Sequence, residues 1–229
     1  MTRGAGAVAP DVESWSASDV LAYAVERFHP RLYLACSFQK ESSVIIDLLL
    51  EIEPRARIFT LDTGVLFPET YATWRRIEEH YGIQVDAYRG ISLQRQALEL
   101  GHALWERDPD RCCATRKETP LERALAKVDA WIGGLRRGQS PERAATPKLG
   151  WDAVHRRWKV SPLADWSERD VWDHIEARGL PYNPLHDAGY ASIGCTHCTQ
   201  PGVGRAGRWP DRAKTECGIH RQVLGQELA

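Results

Sequence analysis

Apolar residues give way abruptly to polar ones in the segment Arg31-Leu32-Tyr33-Leu34-Ala35-Cys36-Ser37-Phe38-Gln39-Lys40-Glu41-Ser42. Its first half, Leu32 to Cys36, predicts a short buried strand, and the residues that follow, Ser42 to Ile52, predict a strongly apolar helix. A strand that passes through a short loop into such a helix is typical of a parallel sheet with crossover helices. The loop from Ser37 to Ser42 then lies at the carboxyl end of the strand, where open α/β sheets bind ligands.

The same alternation extends outward in both directions. Further strands are predicted at Arg57 to Leu61, Val85 to Tyr88 and Ala130 to Ile132, and further helices from a Ser18-Asp19 cap to Phe28, from Pro68 to Tyr81, from Ser92 to Gly101 and around Glu122 to Lys127. After Gly133, where Gly, Pro, Arg and Trp dominate, one helix is predicted at Ser167 to Ala177 and the rest is expected to be loops. The predicted fold class is therefore α/β, a parallel sheet with helices on both faces and a loop-rich C-terminal part.

Length and charge exclude several classes of protein. A chain of 229 residues supports one ordinary domain, and a net charge of -1 gives no overall field that would favour nucleic acid. No apolar stretch approaches the roughly 20 residues of a membrane span. The first ten residues lack the apolar core of a signal peptide and are expected to form a loose terminus. We therefore expect a cytoplasmic protein without nucleic-acid or membrane partners.

The six cysteines do not have the pattern of a disulfide scaffold. Cys112 and Cys113 are adjacent and so cannot readily bridge each other, while Cys195 and Cys198 form a Cys-x-x-Cys. Four thiolates from two segments suit a tetrahedral zinc ion or an iron–sulfur cluster, and the spacing alone leaves both open. Thiols arranged in this way belong in a reducing compartment. Cys36 ends an apolar run and is interpreted as a small buried hydrophobe.

The remaining cysteine, Cys217, is interpreted as a reactive thiol, with nearby arginines and His220 as the groups that lower its pKa. Arginines, whose guanidinium groups match phosphate and sulfate oxygens, cluster after the fourth strand and before this cysteine: Arg136, Arg137, Arg143, Arg205, Arg208 and Arg212. In a chain without net positive charge they favour local anion binding. Lys117 follows Cys112 by five residues and is expected to lie between the metal site and a bound anion.

The loop from Ser37 to Ser42 offers a second place for an anion, because backbone N–H groups at a helix N-terminus bind phosphate. It lacks the Gly-x-x-x-x-Gly-Lys spacing of a Walker A loop. The alternative interpretation is a helix that is simply capped by serine.

These motifs together resemble those of the assimilatory adenylylsulfate (APS) reductases, relatives of the phosphoadenylylsulfate (PAPS) reductases. The matching segments extend from Ser37 over most of the chain and keep the family order: Ser37 to Ser42, Leu61 to Gly64 with Pro68 to Thr70, Arg111 to Lys117, Trp131 to Ser140, Leu180 to His186, Ile193 to Thr199 and Glu216 to His220. Such a combination of motifs is highly specific.

The resemblance implies an adenine nucleotide α-hydrolase-like fold and the thioredoxin-dependent reduction of APS to sulfite and AMP. It implies that Cys217 attacks the sulfate sulfur and holds a thiosulfonate, which thioredoxin thiols then reduce. It further implies a single domain over residues 1–229, with a nucleotide-binding core at 17–150 and a cluster-binding, catalytic segment at 151–229.

The site residues implied by the resemblance fall into three groups. A [4Fe-4S] cluster would be held by Cys112, Cys113, Cys195 and Cys198. The adenosine end of the substrate would be held by Ser37, Gln39 and Leu61. Phosphate and sulfate would be bound by Arg205, Arg208, His220 and an arginine of the loop that carries Arg136, Arg137 and Arg143, with Lys117 bridging cluster and sulfate.

Two departures from the family pattern stand out. Ser42 occupies a place where relatives often carry an acidic residue, and the chain ends nine residues after His220, so that a fused thioredoxin-like domain is not expected. The reductant is therefore expected to be a separate protein. The sequence leaves open whether the chain forms a homo-oligomer.

Three other functions were weighed against this one. A PAPS reductase would use the same chemistry, but family members without the cluster cysteines prefer PAPS. An ATP pyrophosphatase-type transferase needs a Ser-Gly-Gly-x-Asp-Ser type of loop, whose paired glycines Ser37 to Ser42 lacks. A zinc-bearing interaction module would be colourless when isolated anaerobically.

Overall fold

The computed structural model describes residues 10–220, so the predicted loose N-terminus falls largely outside the described residues. Within that range six strands form one sheet: β1 (Leu32–Cys36), β2 (Arg57–Asp62), β3 (Asp86–Arg89), β4 (Ala130–Ile132), β5 (Leu149–Asp152) and β6 (Arg157–Val160). Their order is β3-β2-β1-β4-β6-β5, and all neighbours are parallel except β5 and β6. The predicted α/β class is confirmed. The chain moves outward from β1 in one direction and then returns to β4 on the other side, so a topological switch point lies between β1 and β4.

The described part of the chain also contains eight α-helices: α1 (Ala17–Phe28), α2 (Lys40–Ile52), α3 (Pro68–Tyr81), α4 (Leu93–Leu100), α5 (Leu104–Arg107), α6 (Pro109–Cys113), α7 (Thr119–Leu125) and α8 (Glu168–Arg178). A π-helical turn, Ala114–Glu118, joins α6 to α7. The predicted cap of α1 is corrected: Ser16, not Ser18, accepts the backbone N–H of Asp19, at 3.1 Å. The predicted cap of α8 is confirmed, since Ser167 accepts from the N–H of Asp170. No helix among residues 10–220 is long and apolar enough to cross a membrane.

Side chains of the central strands alternate between two hydrophobic cores, one on each face of the sheet. Leu34 of β1 packs in the larger core, with residues of α1, α2 and α8, while its neighbour Tyr33 packs in the smaller core with Leu121 of α7. Successive side chains of a strand point to opposite faces, and parallel strands are covered on both. The apolar character of β1 throughout its length follows from this double burial.

The antiparallel hairpin of β5 and β6 corrects the prediction that residues after Gly133 form only loops and one helix. β6 pairs in parallel with β4, and Val160 O accepts the N–H of Gly133 at 2.9 Å. The sequence did not indicate β6 because the strand contains Lys159, a charged residue that is nevertheless only 1% exposed. The predicted boundary between the nucleotide-binding core (17–150) and the C-terminal segment (151–229) falls within β5. The hairpin therefore extends the sheet with residues from both of these parts.

Candidate active site

A cleft of about 180 Å³ opens at the carboxyl end of the sheet, beside the switch point between β1 and β4. Three residues predicted to hold a nucleotide line it: Ser37 after β1, Gln39 at the start of α2, and Leu61 in β2. The predicted placement of a ligand site at the strand ends matches the position of this cleft.

The loop after β1 is held in one conformation by its own contacts. Phe38 has a φ of 56°, is fully buried, and stacks on Trp74 with ring centroids 5.3 Å apart. Gln39 accepts the backbone N–H of Ile193 at 2.7 Å and donates to the Ser37 hydroxyl at 3.2 Å. Gln39 is also the N-cap of α2 and makes no side-chain cap bond. The alternative interpretation, a serine-capped helix, is therefore wrong.

The arginines predicted after the fourth strand are divided between two environments. Arg136 lines the cleft, but its guanidinium is buried against Glu41 at 3.0 Å. Arg137 points elsewhere: it pairs with Glu13 and donates to Thr146 O at 2.9 Å. Of the three predicted arginines of this loop, Arg143 lines the cleft and also contacts the C-terminal segment.

Glu216, which sequence reasoning did not single out, joins two of the predicted anion-binding arginines. Arg143 donates to both of its carboxylate oxygens, at 2.8 and 2.9 Å, and Arg205 donates to one of them at 3.0 Å. Arg205 also donates to Thr215 O at 2.8 Å. Bidentate guanidinium–carboxylate pairs are among the stronger polar interactions of proteins. They fasten the residue before Cys217 to the cleft. The signal available in the sequence was an acid directly preceding a cysteine in an arginine-rich region.

Arg208 also lines the cleft and has an unused donor. Its guanidinium packs over Gly194, where an added Cβ would lie 2.4 Å from Nη2. Nη1 donates to the Ser192 hydroxyl at 3.2 Å, whereas the buried Nε has no hydrogen-bond partner among residues 10–220. A buried, unpartnered guanidinium N–H is costly unless an acceptor is supplied, which suits a site for an anion.

Cys217 lines the same cleft and is 8% exposed. Burial alone would raise the pKa of its thiol, but the charges of Lys117 and Arg208 and the backbone N–H of Ile219 together lower it. Gly218 follows with a φ of 85°, and an added Cβ there would lie 2.1 Å from a carboxylate oxygen of Glu118. The turn after Cys217 therefore requires glycine on both counts.

The four cysteines predicted as metal ligands line a second, small cavity. Cys112 and Cys113 end α6, while Cys195 and Cys198 lie at the 3₁₀ turn Thr196–Cys198. All four are buried, and burial raises the pKa of Cys112 to about 11 and that of Cys113 to about 12. The Thr63 hydroxyl lies 3.3 Å from Cys195 Sγ.

Three nitrogen donors in the lining of this cavity are buried without a partner among the described residues: Trp105 Nε1, Trp209 Nε1 and Arg116 Nη2. Buried donors are normally hydrogen-bonded, so their concentration around four thiols calls for acceptors that the protein itself does not supply. Thiolates and inorganic sulfides accept such bonds in iron–sulfur sites. The residues present therefore fit a sulfur-rich group bound by the four cysteines.

Lys117 lines both cavities. Burial would lower the pKa of its ammonium, but the thiols of Cys195 and Cys217 raise it above the ordinary value. The π-helical turn that carries it follows directly after Cys113. Lys117 thus lies between the cavity of the four cysteines and the cleft that contains Cys217; its predicted position between a metal site and a bound anion stays a prediction.

His220 closes the cleft on the side of β4. Its ring lies parallel to that of Trp131, with centroids 5.8 Å apart and an interplanar angle of 4°. Its Nδ1 is 3.1 Å from the ammonium of Lys159, a residue that sequence reasoning missed because its strand was taken for a loop. Of the arginines expected to bind an anion, Arg137 and Arg212 line neither cavity, and Arg212 donates to Glu106 O at 2.7 Å.

The chain belongs to the phosphoadenosine phosphosulfate reductase domain family, whose model matches residues 31–201. It is 46% identical to the adenosine 5′-phosphosulfate reductase of Lysinibacillus sphaericus over 89% of this chain and 90% of that protein. It is 45% identical to the enzyme of the same name from Geobacillus kaustophilus, over 92% of each chain. The predicted family and enzyme class, a reductase acting on sulfur, are confirmed.

Solved structures agree with this assignment. The phosphoadenylyl-sulfate reductase of Candida auris superposes with a TM-score of 0.74 at 31% identity, over 82% of this chain and 91% of that one. The FMN adenylyltransferase of Candida glabrata gives a TM-score of 0.59 at 13% identity, over 82% of this chain and 63% of that one, a likeness of fold alone. The predicted adenine nucleotide α-hydrolase-like fold is thereby confirmed.

The contacts of Glu216 lead to a first prediction. Glu216→Gln removes the charge that Arg143 and Arg205 share, so the segment that carries Cys217 should detach more readily and expose the thiol. In the absence of substrate we expect Cys217 to be alkylated by iodoacetamide about tenfold faster, the size of one lost charge-assisted hydrogen bond. Peptide mass spectrometry reports the rate at this cysteine.

The matched control is Glu142→Gln, which removes an exposed carboxylate next to Arg143. It should leave the alkylation rate of Cys217 unchanged. Equal rates in wild type and Glu216→Gln would show that the ion pairs do not hold the segment in place.

Proposed function

We propose that the chain reduces adenosine 5′-phosphosulfate (APS) to sulfite and AMP, with electrons from thioredoxin, in assimilatory sulfate reduction. The observation that carries this proposal is the position of Cys217. A thiol of lowered pKa lines the cleft at the carboxyl end of the sheet together with Arg143, Arg205 and Arg208. The curated relatives that bear the name of this activity cover about nine-tenths of the chain.

Substrate binding follows from the lining of the cleft. Ser37, Gln39 and Leu61 hold the adenosine end, close to the carboxyl ends of β1 and β2. The phosphate and sulfate lie against the guanidinium groups that reach the cleft, those of Arg143, Arg205 and Arg208. Arg136, which pairs with Glu41, orders the loop, and Arg137 does not contact substrate because it pairs with Glu13.

The first chemical step forms a sulfur–sulfur bond. The thiolate of Cys217 attacks the sulfate sulfur, the bond from sulfur to the bridging phosphate oxygen breaks, and its electron pair leaves with AMP. Lys117 and the arginines offset negative charge that accumulates on the transferring group. The product on the enzyme is a Cys217 thiosulfonate.

The second step consumes two electrons from a dithiol. One thioredoxin thiolate attacks Cys217 Sγ, sulfite leaves, and a mixed disulfide remains; the second thioredoxin thiol then releases Cys217 and leaves oxidised thioredoxin. Each exchange passes through an ordinary thiolate–sulfur attack. The reduction therefore balances without a further electron donor.

We propose that Cys112, Cys113, Cys195 and Cys198 hold one [4Fe-4S] cluster. Such a cluster supplies, when bound, a fixed charge distribution beside Lys117, and we assign it an electrostatic and structural role. The unpartnered donors that line the four-cysteine cavity, Trp105 Nε1, Trp209 Nε1 and Arg116 Nη2, support a cluster that contains sulfide acceptors over a zinc ion.

APS is the proposed substrate, with PAPS as the alternative. The full set of four cysteines favours APS, and the curated relatives at 43–46% identity are named for it. The alternative has one specific observation in its favour, the superposition on the Candida auris enzyme that is named for PAPS. The two substrates differ only by a 3′-phosphate.

The segment from Gly202 to Glu216 is proposed to carry Cys217 over the bound nucleotide as a lid. Arg205 and Arg208 lie within it and line the cleft, so an anion in the cleft would hold the lid in place. Closure excludes water and brings the reacting atoms together. We further propose a cytoplasmic protein, with nucleotide binding in 17–150 and the cluster and nucleophile carried largely by 151–229.

The iron content of cysteine variants tests the cluster. Replacing Cys112, Cys113, Cys195 or Cys198 with Ser should bleach the anaerobically purified protein and reduce its iron, measured by visible absorption and metal analysis. Cys36→Ser, which removes another buried thiol, should retain both. Full iron in Cys113→Ser would contradict the ligand set, and a colourless wild-type protein that contains zinc would indicate an interaction module.

The choice of nucleotide is tested by steady-state kinetics. With thioredoxin in excess, kcat/KM for APS should exceed that for PAPS by a wide margin, because a 3′-phosphate needs cationic partners of its own. Equal or reversed values would contradict the assignment of APS as the preferred substrate.

The nucleophile is tested by trapping the intermediate. Incubation with APS and no thioredoxin should add a sulfonate to the tryptic peptide that contains Cys217, and Cys217→Ser should keep its iron and bind APS without forming the adduct. Cys36→Ser serves as the control and should form it normally. An adduct on Cys36, or sulfite production by Cys217→Ser at the normal rate, would disprove the mechanism.

A further inference from the structure

Lys159 is a buried cation that the mechanism above does not use. Three lysines are exposed by 2% or less: Lys40, Lys148 and Lys159. The first two pair with carboxylates, Lys40 with Glu168 at 3.1 Å and Lys148 with Asp165 at 2.7 Å. The ammonium of Lys159 instead lies 3.1 Å from Nδ1 of His220, a residue that lines the cleft. Burying the charge of Lys159 beside an imidazole rather than a carboxylate is energetically costly, so a functional reason for the contact is expected.

Both groups rest on the same indole. The Lys159 ammonium is 4.6 Å from the centre of the Trp131 ring, and the His220 ring is stacked parallel to that indole. The edge of His155, which is itself paired with Asp152 at 2.7 Å, meets Trp131 from another side. Lys159 and Trp131 lie on adjacent strands, in register with each other. The imidazole is thus held by a strand pair of the rigid sheet, although its own segment is at the C-terminal end of the described chain.

The contact determines which ring nitrogen carries the proton. An ammonium only donates, so Nδ1 must be the unprotonated acceptor and the proton of a neutral ring must lie on Nε2. Burial, reinforced by the charges of Lys159, Arg143 and Arg205 and by His155, lowers the pKa of His220 well below the ordinary value. Burial lowers the pKa of Lys159 to about 8, with Arg143 acting in the same direction and Asp152, Glu216 and Cys217 opposing it. At neutral pH the pair is therefore a charged lysine and a neutral histidine.

We propose that Lys159 is a positioning residue: its ammonium donates to Nδ1 of His220 and holds the ring as the Nε2–H tautomer, which offers a neutral N–H donor to an oxyanion in the cleft. His220 then neither removes the proton of Cys217 nor adds a positive charge beside it, contrary to the expectation that it helps to lower the pKa of that thiol. The oxyanion in question is that of the nucleotide, so this part of the inference rests on the proposed function.

The tautomer is measured by long-range ¹H–¹⁵N correlation spectra of the holoprotein labelled with ¹⁵N at histidine, with His220→Gln to assign the resonance. An unprotonated ring nitrogen resonates far downfield of a protonated one, so the two tautomers are distinct. We expect His220 to show protonated Nε2 and unprotonated Nδ1, with no titration down to about pH 5.5, a pH at which an ordinary histidine is mostly charged. A protonated Nδ1, or ordinary titration in the wild type, overturns the proposal.

Variants then test the lysine. In Lys159→Met the ring should lose its fixed tautomer and the pKa of His220 should rise, because one of the charges that lower it is gone; kcat/KM for APS should fall about tenfold, the effect of one lost hydrogen bond. Lys159→Arg, which keeps a cationic donor, should restore the tautomer. Lys148→Met removes another buried lysine and should change neither the tautomer nor the titration of His220. An unchanged His220 spectrum in Lys159→Met would refute the role of Lys159.

The two measurements separate the inference from the function on which it rests. If wild-type protein forms no Cys217 adduct with APS, the proposed function fails, and the wild-type spectrum still decides the tautomer. If the adduct forms and the spectrum shows protonated Nδ1, the function stands and the role of Lys159 is refuted.

Discussion

A single buried ammonium, that of Lys117, ties the two halves of the site together. Burial disfavours the charge of this lysine, and the nearby Cys195 and Cys217 offset that effect by raising its pKa above the ordinary value. The π-helical turn Ala114–Glu118 sets this position by carrying Lys117 directly behind the adjacent cysteines. π-helical turns are frequent at functional sites because they shift the direction of side chains within a helix. The four-cysteine cavity and the nucleotide cleft are therefore one electrostatic unit.

The other cations of the cleft are each compensated in a different way. Arg136 has a permanent partner in Glu41, Arg143 and Arg205 share the carboxylate of Glu216, and Arg208 keeps one donor free. These pairings explain how a chain with a net charge of -1 gathers so many guanidinium groups around one cleft. The pairings also separate two roles for these arginines. Arg136 bonds to Glu41 of α2 and supports the fold, whereas Arg143 and Arg205 bond to Glu216 of the C-terminal segment and can exchange that carboxylate for a bound anion.

The sequence predicted the central part of the fold because β1 and β4 are apolar throughout and the segments between the strands have the apolar periodicity of helices. It failed at β6, where Lys159 occupies a buried position, because a charge that is stabilised by Trp131 and His220 is indistinguishable in sequence from an exposed one. It grouped Cys112, Cys113, Cys195 and Cys198, which line one cavity, and it singled out Lys117 and Cys217, which line the adjoining cleft. It could not separate Arg137 from Arg143, since which of the two reaches the cleft depends on Glu13 and Glu216, partners distant in the chain.

The carboxylate of Glu216 has a consequence for selectivity among anions. Inorganic phosphate and sulfate resemble the charged end of a sulfonucleotide, and an open cluster of arginines would attract them all. Because Arg143 and Arg205 share the carboxylate of Glu216, an anion that binds to these two guanidinium groups must compete with it. Glu216 thus lowers the affinity of these two arginines for phosphate or sulfate alone, whereas a nucleotide offsets the competition through its other contacts with the walls of the cleft.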